Sequence, residues 1–200
     1  MRFLSLLFLL GLLTACGQAK LEPLPANAVI LAYGDSLTFG TGAAAGEDYP
    51  TQLSRLIAHP VVNAGVPGET TAQGLQRLND TLDEVKPKLV LLGLGGNDFL
   101  QRLPPEDAKA NLAAMLSELK RRNIPVVLLA VPSLSIPPKP HPLYAELAEQ
   151  ADVVLAEEQW WDILRKASLK SDAVHPNAAG YAQFAAAMAE LLKEHGAIRD

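Results

Sequence analysis

From Val29 onward, short apolar runs alternate with longer segments whose apolar residues recur at helical spacing, and few folds accommodate that rhythm. Val29 to Tyr33, Val61 to Val62, Leu89 to Leu94 and Val126 to Ala130 are β-branched or leucine-rich and lack polar alternation. Runs of this kind predict strands buried on both faces of a parallel sheet, with helices covering each side. Pro50 to Ile57 sets Leu53, Leu56 and Ile57 on one helical face, and Thr71 to Val85 does the same with Leu75, Leu78, Leu82 and Val85. A third helix opens on Pro105, Glu106 and Asp107, residues suited to a first turn, and runs to about Arg122 with Leu112, Met115, Leu116 and Leu119 inward. The last, Asn177 to Glu194, has Asn177 as its N-cap and a broad stripe of Tyr181, Phe184, Ala185, Met188, Leu191 and Leu192. The order β, α, β, α, β, α, β, then a proline-rich loop and more helix, predicts a three-layer α/β/α sandwich around a mainly parallel sheet. Two hundred residues are enough for one such domain, and no internal repeat suggests another.

The first residues do not fit this pattern. Met1-Arg2 is a short positive head, Phe3 to Leu13 is an almost unbroken apolar run, and Leu13-Thr14-Ala15-Cys16 closes it with small residues. That is the layout of a signal peptide, and the run is shorter than the ~20 residues a transmembrane helix needs. Leu-Thr-Ala-Cys resembles the bacterial lipobox. The resemblance implies that 1–15 is removed, that Cys16 carries the lipid, and that 16–28, with Pro23 and Pro25, is a tether to the folded domain at 29–200. Several acyl chains hold a protein at a membrane where one would not. Gly17, not Asp, follows the cysteine, which by analogy with lipoprotein sorting favours an outer membrane where the cell has one. Cys16 is the only cysteine, so an internal disulfide or a thiol pair for zinc is excluded. The net charge of -5 contains no basic cluster able to hold a phosphate backbone, which argues against nucleic acid as a partner.

Functional loops of open α/β sheets lie beyond the C-terminal ends of the strands. Gly34-Asp35-Ser36-Leu37, Asn63-Ala64-Gly65 and Gly95-Gly96-Asn97-Asp98 all occupy that position. A serine hydroxyl is protonated at neutral pH and needs an adjacent base to act as a nucleophile. His59 precedes Pro60 in a connection, His141 lies in the proline-rich loop, where it reads as solvated, and His195 ends the last helix. His175 differs, because Asp172 stands three residues before it, where one turn lets the carboxylate fix the ring and leaves the other nitrogen free for a serine. Acyl transfer also needs donors for the developing oxyanion, and the backbone N–H groups of Ser36 and Gly65 with the Asn97 amide are the candidates.

Taken together, Gly34-Asp35-Ser36-Leu37, Gly65, Gly95-Gly96-Asn97-Asp98 and Asp172-x-x-His175 resemble the four sequence blocks of the SGNH (GDSL) hydrolases, in order and over nearly the whole mature chain. The resemblance is to the small bacterial thioesterase, lysophospholipase and arylesterase branch, whose fold is flavodoxin-like. It implies Ser36 as nucleophile, His175 as base, Asp172 as its support, an oxyanion hole from Ser36, Gly65 and Asn97, and no metal or cofactor. A monomer acting on a small ester or thioester, some of them lipids, is the expectation. Two rivals stand beside it: an O-acetylesterase acting on carbohydrate or wall glycans, and a non-catalytic lipid-binding lipoprotein. Asp35 and Asp98 read as loop-holding carboxylates, and of Trp160 and Trp161 one reads as core and one as surface. Thr38, Phe39 and Tyr49 are candidates to approach the acyl group. The Val131 to Leu143 segment, with five prolines, aligns with no family specificity loop.

Overall fold

The computed structural model describes residues 19–133 and 139–199; the expected signal peptide, Cys16, Pro137 and Pro138 lie outside them. Five parallel strands form one sheet: β1 (Ile30–Gly34), β2 (Val61–Gly65), β3 (Leu89–Gly93), β4 (Val126–Leu129) and β5 (Val154–Ala156), in the order β2-β1-β3-β4-β5. The helices are α1 (Ser36–Phe39), α2 (Tyr49–Ile57), α3 (Thr71–Val85), α4 (Gly96–Leu100), α5 (Pro105–Arg121), α6 (Pro142–Ala151), α7 (Gln159–Leu164) and α8 (Ala178–Glu194). α3, α5 and α6 pack together as one layer, and α2, α7 and α8 as the other, which is the expected α/β/α sandwich.

The central strands carry the core. Ile30 to Tyr33 and Leu89 to Leu92 are fully buried, as their unbroken apolar runs predict. β2 departs from the prediction: it is an edge strand that pairs only with β1, and Val62 is 36% exposed. With no neighbour on its outer side, a strand of two valines followed by Asn63 lacks the cover that a central strand has. At the opposite edge, β5 is only three residues long, too short to show a period. On the second helix layer, Trp160 stacks on Phe184 with centroids 3.5 Å apart, and Tyr49 meets both edge-on, so one aromatic cluster joins α7, α8 and α2. Trp160 is buried and Trp161 half-buried under Arg165, the expected division.

The described part of the expected tether is packed against the domain. The Leu21 N–H donates to the His195 carbonyl and the Leu24 N–H to that of Ala197, each at 2.8 Å, while His195 Nδ1 donates to the Ala19 carbonyl at 2.6 Å. Leu21 is buried among the core side chains. Residues 19–28 thus line the end of α8 and then feed β1.

The strand register prepares the site. Gly34 lies level with Gly65 on one side and Gly93 on the other, so three glycines end three adjacent strands in a row. A Cβ on Gly34 would stand 2.2 Å from Thr38 Oγ1, and one on Gly65 would stand 2.1 Å from the Phe39 nitrogen. α1 therefore sits directly on the sheet end, and only glycine leaves it room.

Candidate active site

Ser36 is the first residue of α1, a single turn. Asp35 caps it, Oδ1 accepting the Leu37 N–H at 3.0 Å, and Gly40 closes it in the left-handed region. From this position Ser36 Oγ lies 3.0 Å from His175 Nε2, and His175 Nδ1 lies 2.8 Å from Asp172 Oδ2. Asp172 Oδ1 accepts the Val174 and His175 N–H groups, both at 2.8 Å, which folds the Asp-x-x-His segment into one tight turn. Desolvation works against ionisation of Asp172, but the His175 ring and these two amides outweigh it and hold the carboxyl down at about 2. The carboxylate thus stays charged beside the imidazole at neutral pH. The loop is anchored from both sides: Ser171 N–H donates to the His175 carbonyl (3.0 Å), and Asn177, the expected N-cap, accepts from Gly180 N–H (3.0 Å). Tyr181 on α8 donates to the Thr41 carbonyl (2.8 Å), tying the histidine's helix to the serine's loop.

Gly65 is not where an oxyanion donor would be. Its N–H donates to Asn63 Oδ1 at 3.0 Å and the residue lies beneath α1, so the expected role is corrected: Gly65 makes room for α1, the helix that carries Ser36. Of the two glycines that follow Ala64, Gly65 and Gly68, the one that borders the cavity is Gly68. Val66-Pro67-Gly68-Glu69 is a turn closed by the Glu69 N–H on the Val66 carbonyl (3.2 Å), with Pro67 second and Gly68 third at φ +81°. That is type II geometry, in which the third residue needs a positive φ. The Pro-Gly dipeptide was the sequence signal for this turn.

Asn97, at the start of α4, lines the same cavity and donates from Nδ2 to the Glu69 carbonyl (2.9 Å) and, more weakly, toward Asp35 Oδ2 (3.4 Å). Asp98 behind it is buried and accepts the Thr71 N–H (2.9 Å) and hydroxyl (2.6 Å), which joins α4 to the start of α3. Asp35 and Asp98 are therefore loop-holding carboxylates, as read from the sequence. Burial raises the Asp35 carboxyl to about 7, although the Leu37 N–H works against that rise.

A guanidinium that the sequence reading passed over underpins this edge. Arg77 on α3 pairs with the buried Glu69 (Nη2 to Oε2, 2.5 Å; Nε to Oε1, 2.6 Å). It also donates to the carbonyls of Ala64 (2.9 Å) and Gly34 (3.4 Å), and it lies over the Tyr33 ring at 4.1 Å. One side chain thus joins the ends of β1 and β2 to the turn that carries Gly68 and holds Asn97. Nothing in residue spacing announces it, because its partners are 8 to 43 positions away.

Ser36, His175, Asn97 and Gly68 open on a cavity of about 440 Å³ whose remaining walls include Leu37, Leu100, Val131, Pro132, Leu164 and Val174. Val131, Pro132 and Ser133, which open the proline-rich segment, border it, and the Ser133 N–H donates to the Lys139 carbonyl (2.8 Å). Thr38 and Tyr49 are buried in the core and, with Phe39, are absent from the cavity wall. His141 is not simply solvated: it caps α6 and stacks on Phe99 at 4.9 Å. Among the described residues, no cluster of His, Cys, Asp and Glu could hold a metal ion.

Residues 32–183 match the model of the GDSL-like lipase/acylhydrolase family. The chain is 31% identical to an arylesterase of Vibrio mimicus, over 97% of this chain and 98% of that protein. It is 34% identical to esterase TesA of Pseudomonas aeruginosa, over 73% and 71% respectively. Among solved structures it resembles AlinE4, an SGNH-hydrolase family esterase, at a TM-score of 0.68 and 34% identity, covering 86% of this chain and 97% of that one.

Proposed function

The chain belongs to the GDSL-like lipase/acylhydrolase family, and from that premise we propose that it is a serine esterase working through Ser36, His175 and Asp172. The observation that carries this reading is the relay from Ser36 to His175 to Asp172, at 3.0 and 2.8 Å, on the floor of a largely apolar cavity. Ser36 Oγ attacks the ester carbonyl while His175 Nε2 takes its proton, and Asp172 stabilises the imidazolium that results. The N–H groups of Ser36 and Gly68 and the Asn97 amide receive the developing oxyanion, each such donor being worth on the order of 10²–10³ in kcat. His175 then protonates the leaving alcohol or thiol, and water attacks the acyl-Ser36 ester by the reverse route. A carbonyl oxygen entering this site would compete with Asp35 for the weaker of the two Asn97 hydrogen bonds.

The cavity wall favours an acyl or aryl group over an acetylated sugar, since Leu37, Leu100, Val131 and Leu164 offer no partner to hydroxyl groups. Hydrolysis of p-nitrophenyl esters from acetyl to palmitoyl tests this, using protein that starts at Gly17 with Ser36→Ala beside it. Turnover that rises with chain length beyond acetyl and disappears in Ser36→Ala is the expected result; an acetyl optimum would instead favour the O-acetylesterase. The proposal extends to location: Cys16 carries acyl chains and holds the enzyme on a bacterial envelope membrane, supported by Leu13-Thr14-Ala15-Cys16 behind an apolar run. Incorporation of labelled palmitate, lost in Cys16→Ser, is the test.

A further inference from the structure

Helix α8 links the two ends of the domain. Its N-terminus follows His175, at the mouth of the catalytic cavity, and its C-terminus is capped by His195, which holds Ala19. Seventeen helical residues rise about 25 Å. Ala19 is packed at the far end, where Leu21 and Leu24 bond to the carbonyls of His195 and Ala197. Between Cys16 and Ala19 the chain has only three residue steps, which at full stretch cover about 11 Å. A lipid on Cys16 therefore reaches the base of the domain and falls well short of its mouth.

We infer that the anchored enzyme sits with the N-terminal edge of its sheet against a phospholipid surface and opens its catalytic mouth away from the membrane that holds it. The inference rests on the reading of Cys16 as lipidated. Charge at the base agrees with it: a groove there is lined by Lys20, Lys88 and Lys120 against Glu22 and Asp152, a small cationic excess suited to anionic headgroups. The consequence concerns substrate. An ester must arrive from the aqueous side, so lipids of the anchoring bilayer are not what this enzyme meets.

The test uses the full acylated chain in vesicles of phosphatidylethanolamine and phosphatidylglycerol that contain a headgroup-labelled quencher lipid. A fluorescent maleimide is placed on Leu103→Cys, an exposed residue just past α4, whose Leu100 lines the cavity, or on Lys120→Cys at the base; the Cys16 sulfur, as a thioether, does not react. Hydrolysis of p-nitrophenyl butyrate by each labelled protein reports an intact fold and site. The expected result is quenching several-fold stronger at position 120 than at 103, with the difference abolished by a flexible Gly/Ser insertion of about 30 residues after Gln18. Quenching at 103 equal to or stronger than at 120 overturns the orientation. If the chain takes up no labelled palmitate, the anchor falls and the orientation with it, whereas the esterase reading is judged separately by butyrate hydrolysis and its loss in Ser36→Ala.

Discussion

Two glycines three residues apart have different tasks, and substitution separates them. At Gly65 a methyl group would stand 2.1 Å from the Phe39 nitrogen, against backbone that cannot give way, so Gly65→Ala should displace α1 and cost stability and activity together. At Gly68 there is open space for a Cβ, and the obstacle is φ +81°. Gly68→Ala should therefore keep the fold within about 1–2 kcal/mol while kcat falls, because the N–H shifts from its aim. Thermal melting and ester kinetics on the two variants check this, and equal loss in both would contradict the assignment. Asp35 makes a prediction about pH. Its carboxyl is raised from the ordinary 3.8 to about 7, so the folded state holds its proton more tightly than the unfolded chain. The stabilisation is complete below about pH 4 and is lost as pH rises through 7. Asp35→Asn, neutral throughout and still able to accept the Leu37 N–H, should flatten the decline in melting temperature between pH 4 and 8. Asp172 runs the other way, contributing above its ordinary value and losing that contribution only as pH falls toward 2.

At the scale of elements, the site depends on keeping three strand ends and one turn in register. Arg77 does this by bonding to the Gly34 and Ala64 carbonyls and to Glu69, whose own carbonyl holds Asn97. Arg77→Met would leave the Glu69 carboxylate buried without its partner, a loss of about 3 kcal/mol or more, and would loosen the turn bearing Gly68. The expected kinetics are a fall of about 10- to 100-fold in kcat with KM changed little, since the apolar cavity wall is left in place. A double-mutant cycle with Glu69→Gln should show a coupling of about 1 kcal/mol or more, and additivity would refute the link. The four helices that the apolar periodicity predicts match their observed spans to within a residue or so, because each is amphipathic over two turns or more. α6 and α7 were foreseen only as unspecified helix after the proline-rich loop. α7 has six residues, and what holds it is the stack of Trp160 on Phe184, a partner 24 positions further along.

For the molecule as a whole, the N-terminal segment belongs to the fold. Leu21 is buried, and its N–H and that of Leu24 are bonded to the chain beyond α8. A protein starting at Ala28 should unfold at lower temperature than one starting at Gly17, by the equivalent of about 2–3 kcal/mol for one leucine's burial, with ester turnover retained below the transition. Calorimetry of the two lengths would decide it. The alternation of apolar runs with helical periods, and the Ser36 and Asp172-x-x-His175 segments, were legible in the sequence because each is a local pattern: side-chain period and turn spacing follow from backbone geometry over a few residues. The tertiary structure alone decided which glycine faces the cavity, that Val62 lies on an exposed edge, that Arg77 braces the site and that the mouth and the N-terminal segment lie at opposite ends of α8. Those facts depend on which groups distant in the chain come to share space, and that is set by packing rather than by any local period.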